Sequence, residues 1–181
     1  MVKAAIVGHS QVPHNVHVEN VETRVFRRPG AKIRHFHDEI LNNLLAYEPD
    51  IVILFLGGND IDAGEDCVVR VATALKGVIQ ILRENCREVI VVDIEWRNFT
   101  SSRVPELTSE LYNHSRMQIN RNLARFCNRR NIRTINTSLD SIQRVRNDGV
   151  HFDRLAAARV KTKISNAIMH ATNRLLAAGN Q

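Results

Sequence analysis

Two stretches constrain this chain more than any others: IVILFL at positions 51–56 and VIVVDI at positions 89–94 are apolar at nearly every residue. A half-exposed strand alternates apolar and polar residues, whereas a strand covered on both faces reads as a continuous apolar run. Both runs are rich in β-branched residues and end in glycine or polar residues, so they read as strands rather than fragments of buried helix. Each sits inside a slightly longer candidate strand, Asp50–Leu56 and Glu88–Ile94. Three further short runs, Lys3–Val7, Val21–Phe26 and Arg133–Asn136, carry the same signature.

Between the strands the apolar period changes from two to about 3.6. His37–Tyr47 places Ile40, Leu44 and Leu45 on one face, and Cys67–Glu84 does the same with Val68, Val71, Leu75, Val78, Ile79 and Leu82. Glu106–Asn128 carries Leu107, Leu111, Ile119, Leu123 and Phe126, and a last helix spans Leu155–Ala178. Strands alternating with helices predict an α/β fold, doubly wound, with a parallel sheet between two helical layers. Five strands with right-handed crossovers make the flavodoxin-like order 2-1-3-4-5, a three-layer αβα sandwich, the most economical topology.

A chain of 181 residues, 44% of them hydrophobic, is expected to form one domain spanning 1–181. Eight glycines, four prolines and no low-complexity tract exclude disordered, collagenous and coiled-coil readings. The four apolar residues before Gly8 fall short of the roughly 7–15-residue apolar core of a secretion signal. No stretch approaches the roughly 20 apolar residues that span a bilayer. Cys67, Cys86 and Cys127 are odd in number and widely spaced, unlike a disulfide framework or a zinc site. A reducing, cytoplasmic setting is expected.

The formal net charge is +6 and is unevenly spread: residues 116–146 hold eight arginines against one carboxylate, Asp140. Arg121, Arg125 and Arg129 recur every fourth residue on one helix face, opposite Leu123. Such a row either is a solvated surface or holds phosphate of nucleic acid or of an anionic membrane, because each guanidinium is a permanent charge with a fork of donors.

In an open parallel sheet ligands bind beyond the carboxyl ends of the strands. The segments expected there are Gly8-His9-Ser10-Gln11, Arg28-Pro29-Gly30-Ala31, Gly57-Gly58-Asn59-Asp60 and Asp148-Gly149-Val150-His151. Together they supply a hydroxyl, a base, an acid to orient the base, and donors for an oxyanion. Ser10 is the candidate nucleophile, His151 its base and Asp148 the acid that fixes the tautomer of His151. The N–H of Ser10, the N–H of Gly30 and the amide of Asn59 are the candidate oxyanion donors. Taken singly, each has a blander reading: Ser10 as a turn or cap, Asp148-Gly149 as a turn, and Asn59-Asp60 as the cap of the helix that follows.

The four segments in this order resemble the SGNH hydrolases, a branch of the GDSL-like esterases and lipases, whose blocks place Ser after the first strand, Gly after the second, a GxND after the third and a DxxH near the C-terminus. The resemblance covers nearly the whole chain. It implies an ester-hydrolysing α/β domain with Ser10, Asp148 and His151 as triad and Ser10, Gly30 and Asn59 as oxyanion hole. The family usually has Asp where this chain has His9, and an imidazole beside the nucleophile is expected to change the loop and its field. The compact size, the lack of a secretion signal and the arginine-rich surface are also similar to esterase-like domains in the first open reading frame of non-LTR, LINE-type retrotransposons.

His9, Trp96 and Phe99 are the candidate pocket residues, the two aromatics either walling an acyl site or anchoring the loop Glu95–Val104 to the core. Asp60, Asp62, Glu65 and Asp66 read as acids gathered at a helix start, where the dipole favours them, and no metal is expected from them. The leading expectation is a cofactor-free serine esterase acting on a short acyl or acetyl ester, the substrate being a small ester or lipid-like molecule. The alternative is a catalytically weak or inactive module of the same fold that binds nucleic acid or anionic lipid through Arg121, Arg125 and Arg129.

Overall fold

The computed structural model describes residues 1–99, 104, 106–137 and 146–179. Five strands, β1 (Val2–Gly8), β2 (Val21–Arg27), β3 (Ile51–Phe55), β4 (Glu88–Val92) and β5 (Arg133–Ile135), form one sheet in the order β2-β1-β3-β4-β5. Every pairing is parallel, with Ala4 opposite Ile51 and Ile51 opposite Glu88. This is the topology expected from the alternating periods.

Successive residues of the central strands point into two separate cores, as the period of two requires. Ala5, Val7, Val52, Leu54, Val89 and Val91 pack against Phe36, Leu44, Leu75, Ile79, Ile119 and Leu123. Ala4, Ile6, Ile51, Ile53, Phe55 and Ile90 face the other way, onto Val160, Ile164 and Ile168. The continuous apolar runs therefore exist because both faces are covered.

The first face is covered by α1 (Ile33–His35), a π-helical turn (Phe36–Ile40), α2 (Leu41–Tyr47), α3 (Cys67–Asn85) and α4 (Ser109–Asn128). The second is covered by α5 (Arg154–Gly179), with Val12, Val16 and Val18 from the β1–β2 connection filling the rest. That connection contains no helix.

Three helix starts differ from the periodicity, each for a local reason. The segment expected from His37 begins at Ile33, where both carboxylate oxygens of Asp60 accept the Ile33 N–H at 3.1 Å. Asp60 thus satisfies a donor at the start of the preceding helix, not of the one that follows it in sequence. Burial pushes the pKa of Asp60 up to about 6 against that hydrogen bond and the cations near it. The helix expected from Glu106 begins at Ser109, because Glu106 is left-handed (φ +61°) and Thr108 Oγ1 accepts from the Leu111 N–H. Asp153 Oδ1 accepts from the Ala156 N–H at 2.7 Å and opens α5 at Arg154, one residue before the apolar pattern starts.

No helix among the described residues is long and apolar enough to cross a membrane. Arg121 and Arg125 on α4 and Arg129 at its C-terminal cap are all exposed, with Leu123 buried behind them. Arg144 and Asp140, counted in the basic stretch, lie outside the described residues, as do positions 100–103 of the loop after β4.

Candidate active site

The carboxyl ends of β1, β2 and β3 and the segment before α5 are tied to one another by hydrogen bonds that cross long sequence distances. The Arg28 N–H donates to the Gly8 carbonyl at 3.1 Å, joining the ends of β2 and β1. Asn59 Nδ2 donates to the Ala31 carbonyl at 3.0 Å, bringing the loop after β3 against the loop after β2. The Asn98 N–H donates to the Gly149 carbonyl at 2.6 Å, bringing the loop after β4 onto the segment before α5.

At the centre, Ser10 Oγ lies 3.0 Å from His151 Nε2, and His151 Nδ1 lies 2.8 Å from Asp148 Oδ2. The other Asp148 oxygen accepts the N–H groups of Val150 and His151, both at 2.9 Å. The carboxylate is thus fixed by the same turn that presents the imidazole. Burial works against its charge, but the two backbone N–H groups and the imidazole outweigh it and hold the pKa down at about 2. The hydrogen-bonding order hydroxyl, imidazole, carboxylate is the arrangement that lets a serine lose its proton to a base of fixed tautomer.

Gly149 makes this turn possible. It is left-handed, at φ +67°, and a Cβ there would stand 1.9 Å from the Asn98 carbonyl oxygen. Gly149→Ala combines a disfavoured backbone, costing about 1–2 kcal/mol, with a backbone clash. The expected result is a lower unfolding midpoint together with reduced ester turnover, read by urea titration and an ester assay on the same preparation.

Gln11 is the residue that the sequence pattern did not single out. Its side chain grips the backbone on both sides of His151: Nε2 donates to the Val150 carbonyl, and Oε1 accepts the buried Phe152 N–H at 3.0 Å. The adjacent residue, Ser10, is the hydroxyl that His151 meets, so one short segment carries both the hydroxyl and the clamp on its partner. A polar residue after Ser in the first block was the available signal, but nothing in one sequence says where its amide points. Gln11→Ala leaves the Phe152 N–H unpaired, which costs about 1–3 kcal/mol, and lets His151 drift from Ser10. A lower thermal midpoint and a kcat reduced by about tenfold or more are expected.

Three N–H donors face no protein acceptor among the described residues: the backbone N–H of Ser10, that of Gly30, and one of the two on Asn59 Nδ2. Gly30 (φ +68°) stands in the open, with nothing within 4 Å of the place a Cβ would take.

Of the candidate pocket residues, His9 is buried, at 1% exposure, with its ring 5.0 Å from that of Phe55 and its Nε2 3.5 Å from Glu95 Oε2, so it belongs to the interior. Phe99 packs edge-on against Tyr112 at 5.9 Å, and its carbonyl accepts from Ser109 Oγ, so it anchors its loop to the core. Trp96 is half-buried. A cleft of about 410 Å³ beside Ser10 is bounded by Ser10, Pro13, Arg146, His151, Phe152 and Lys161. A larger crevice of about 560 Å³ lies among Arg83, Arg87 and Arg174 and includes neither Ser10 nor His151.

Glu95 is fully buried between two basic side chains. Arg97 donates to its Oε1 through Nε at 3.1 Å and Nη2 at 2.6 Å, while His9 faces Oε2. Burial alone would raise the pKa of Glu95, but the His9 imidazole and the Arg97 guanidinium reverse that and hold the carboxyl well below the usual carboxylate range. The imidazole of His9, next to Ser10, is thus matched by a buried carboxylate from the segment after β4. Asp62, from the acidic group, is taken up by Arg70 at 2.6 Å and by the Gly64 N–H.

The fold has close relatives among solved structures. A lipase/acylhydrolase from Enterococcus faecalis superposes with a TM-score of 0.72 at 18% identity, covering 93% of this chain and 95% of that one. An acetyl xylan esterase superposes at 0.68 with 17% identity, covering 92% and 100%. An acetylxylan esterase from Geobacillus stearothermophilus gives 0.67 with 13% identity, covering 94% and 93%. At these identities the likeness establishes the fold. No curated protein matches the sequence significantly. The comparisons lend no support to the retrotransposon resemblance or to a nucleic-acid or lipid partner for the α4 arginines. The model of the GDSL-like lipase/acylhydrolase family matches residues 8–159, from the glycine before His9-Ser10 to beyond His151, and on that match this chain belongs to the GDSL-like lipase/acylhydrolase family.

Proposed function

We propose that the protein is a serine esterase that hydrolyses a carboxylic ester of a short acyl group, such as acetyl, through an acyl-enzyme. The observation that carries this reading is the bonded series Ser10 Oγ, His151 and Asp148, at 3.0 and 2.8 Å, in a member of an acylhydrolase family. Ser10 Oγ attacks the carbonyl carbon as its proton passes to His151 Nε2. The charge that forms on the carbonyl oxygen is met by the N–H groups of Ser10, Gly30 and Asn59. Collapse expels the alcohol, which takes the proton back from His151. Water, deprotonated by the same imidazole, then attacks the acyl carbon and frees Ser10. The modest cleft beside Ser10 favours a short acyl group.

The test is covalent labelling with a fluorophosphonate, read by intact mass. One adduct on the wild type, located to Ser10 and missing from Ser10→Ala and His151→Ala, is the expected result. Folded wild-type protein that takes no label would overturn the reading and leave a binding module built on the same fold.

A further inference from the structure

Asn59 is held between two partners of opposite polarity. Its Oδ1 accepts from Arg97 Nη2 at 3.0 Å, and its Nδ2 donates to the Ala31 carbonyl at 3.0 Å. Turning the amide over would set its NH2 against a guanidinium and its oxygen against a carbonyl oxygen, so only one orientation is allowed. That orientation uses one N–H on Ala31 and leaves the second for a ligand. The guanidinium also withdraws electron density through Oδ1, which strengthens the remaining N–H as a donor.

Arg97 is in turn fixed from three sides. Its guanidinium is bonded twice to the fully buried Glu95 and stacks over the Tyr112 ring at 5.0 Å, and its backbone N–H donates to Asn113 Oδ1 at 3.3 Å. A Cβ on Gly58 would lie 2.8 Å from Arg97 Nη2 and 2.9 Å from Glu95 Oε1. The residue before Asn59 is therefore glycine because the ion pair occupies the space a side chain would need.

We propose that Arg97, braced by Glu95, is a positioning residue for ester hydrolysis: it locks the Asn59 amide in the one orientation that points an N–H at the developing oxyanion. This rests on the serine esterase reading. The effect of the pair on the reaction passes through Asn59, and the contact of Glu95 with His9 is common to both Asn59 backgrounds, so the cycle cancels it.

The experiment is a kinetic double-mutant cycle on p-nitrophenyl acetate with Asn59→Ala and Arg97→Met. Because Arg97→Met leaves Glu95 buried without its cation, the cycle is repeated with Glu95→Gln/Arg97→Met, which removes both charges, and with Gly58→Ala, which keeps every side chain but displaces the pair. Removing a single oxyanion donor costs roughly 10²–10³ in kcat, so loss of its orientation is expected to lower kcat by about 10–100-fold while KM changes by less than about twofold. In the Asn59→Ala background the same changes should alter kcat by less than about twofold, because the group they orient is gone. A folded variant with unchanged kcat, or an equal loss in both backgrounds, overturns the proposal. Fluorophosphonate labelling of Ser10 separates the two readings: label with equal losses removes only the role of Arg97, and no label on wild type removes both.

Discussion

Ser10→Ala should reduce hydrolysis of p-nitrophenyl acetate by about 10⁴-fold or more, close to the level left by binding and oxyanion donors alone. The hydroxyl is the group in the series whose proton the imidazole is placed to take, which makes it the nucleophile of the proposed reaction. Ser10 is partly exposed, and among the described residues its side chain is bonded to His151 Nε2 alone. The substitution leaves no buried donor unpaired, so the thermal midpoint should move by no more than about a degree or two. His151→Ala should cost a similar factor, and the two losses should not multiply, since each removes the same unit. Full turnover by a folded Ser10→Ala protein would show that the bonded series is not the catalytic one.

What was legible in the sequence, and what was not, follows from the range over which each feature is determined. The strands at Ile51–Phe55 and Glu88–Val92 announce themselves because burial on both faces leaves no polar position after the partly exposed Glu88 that opens the second. The four rim segments are legible because topology places every strand's carboxyl end on one edge. The edge strand β2 is plainer, with only Val21 fully buried. Helix starts fail where a distant group decides them: Asp60 satisfies Ile33 across 27 residues of sequence. The place of His9 is hidden for a similar reason: next to Ser10, it faces inward onto the buried Glu95, and nothing local to Gly8-His9-Ser10 reveals that partner. Gln11, Arg97 and Glu95 share this property. Their work is done through contacts between segments, so single-sequence patterns place them in loops without a task.

Asp148→Asn tests the last member of the series and separates two consequences of one carboxylate. Its Oδ2 holds His151 Nδ1, and its Oδ1 holds the N–H groups of Val150 and His151. An amide oxygen can keep the turn by accepting those two N–H groups, but the amide NH2 then faces Nδ1 and favours the tautomer whose proton sits on Nε2. That proton stands where the Ser10 proton must go, so kcat should fall by roughly 10⁴-fold with the fold retained, the size expected for loss of the correct tautomer. The carboxylate also contributes to stability in a pH-dependent way. Its pKa is lowered to about 2 in the folded protein, from the 3.8 of an ordinary aspartate. A depressed carboxyl stabilises the fold above its unfolded pKa, and the contribution is lost as pH falls from about 4 through about 2. The stability difference between wild type and Asp148→Asn, measured by urea unfolding, should therefore shrink as pH falls below about 4. The activity difference should persist wherever the wild type is active, since the tautomer argument needs only an ionised Asp148. A variant that loses stability but keeps its turnover would assign Asp148 to the turn alone and leave His151 without an orienting acid.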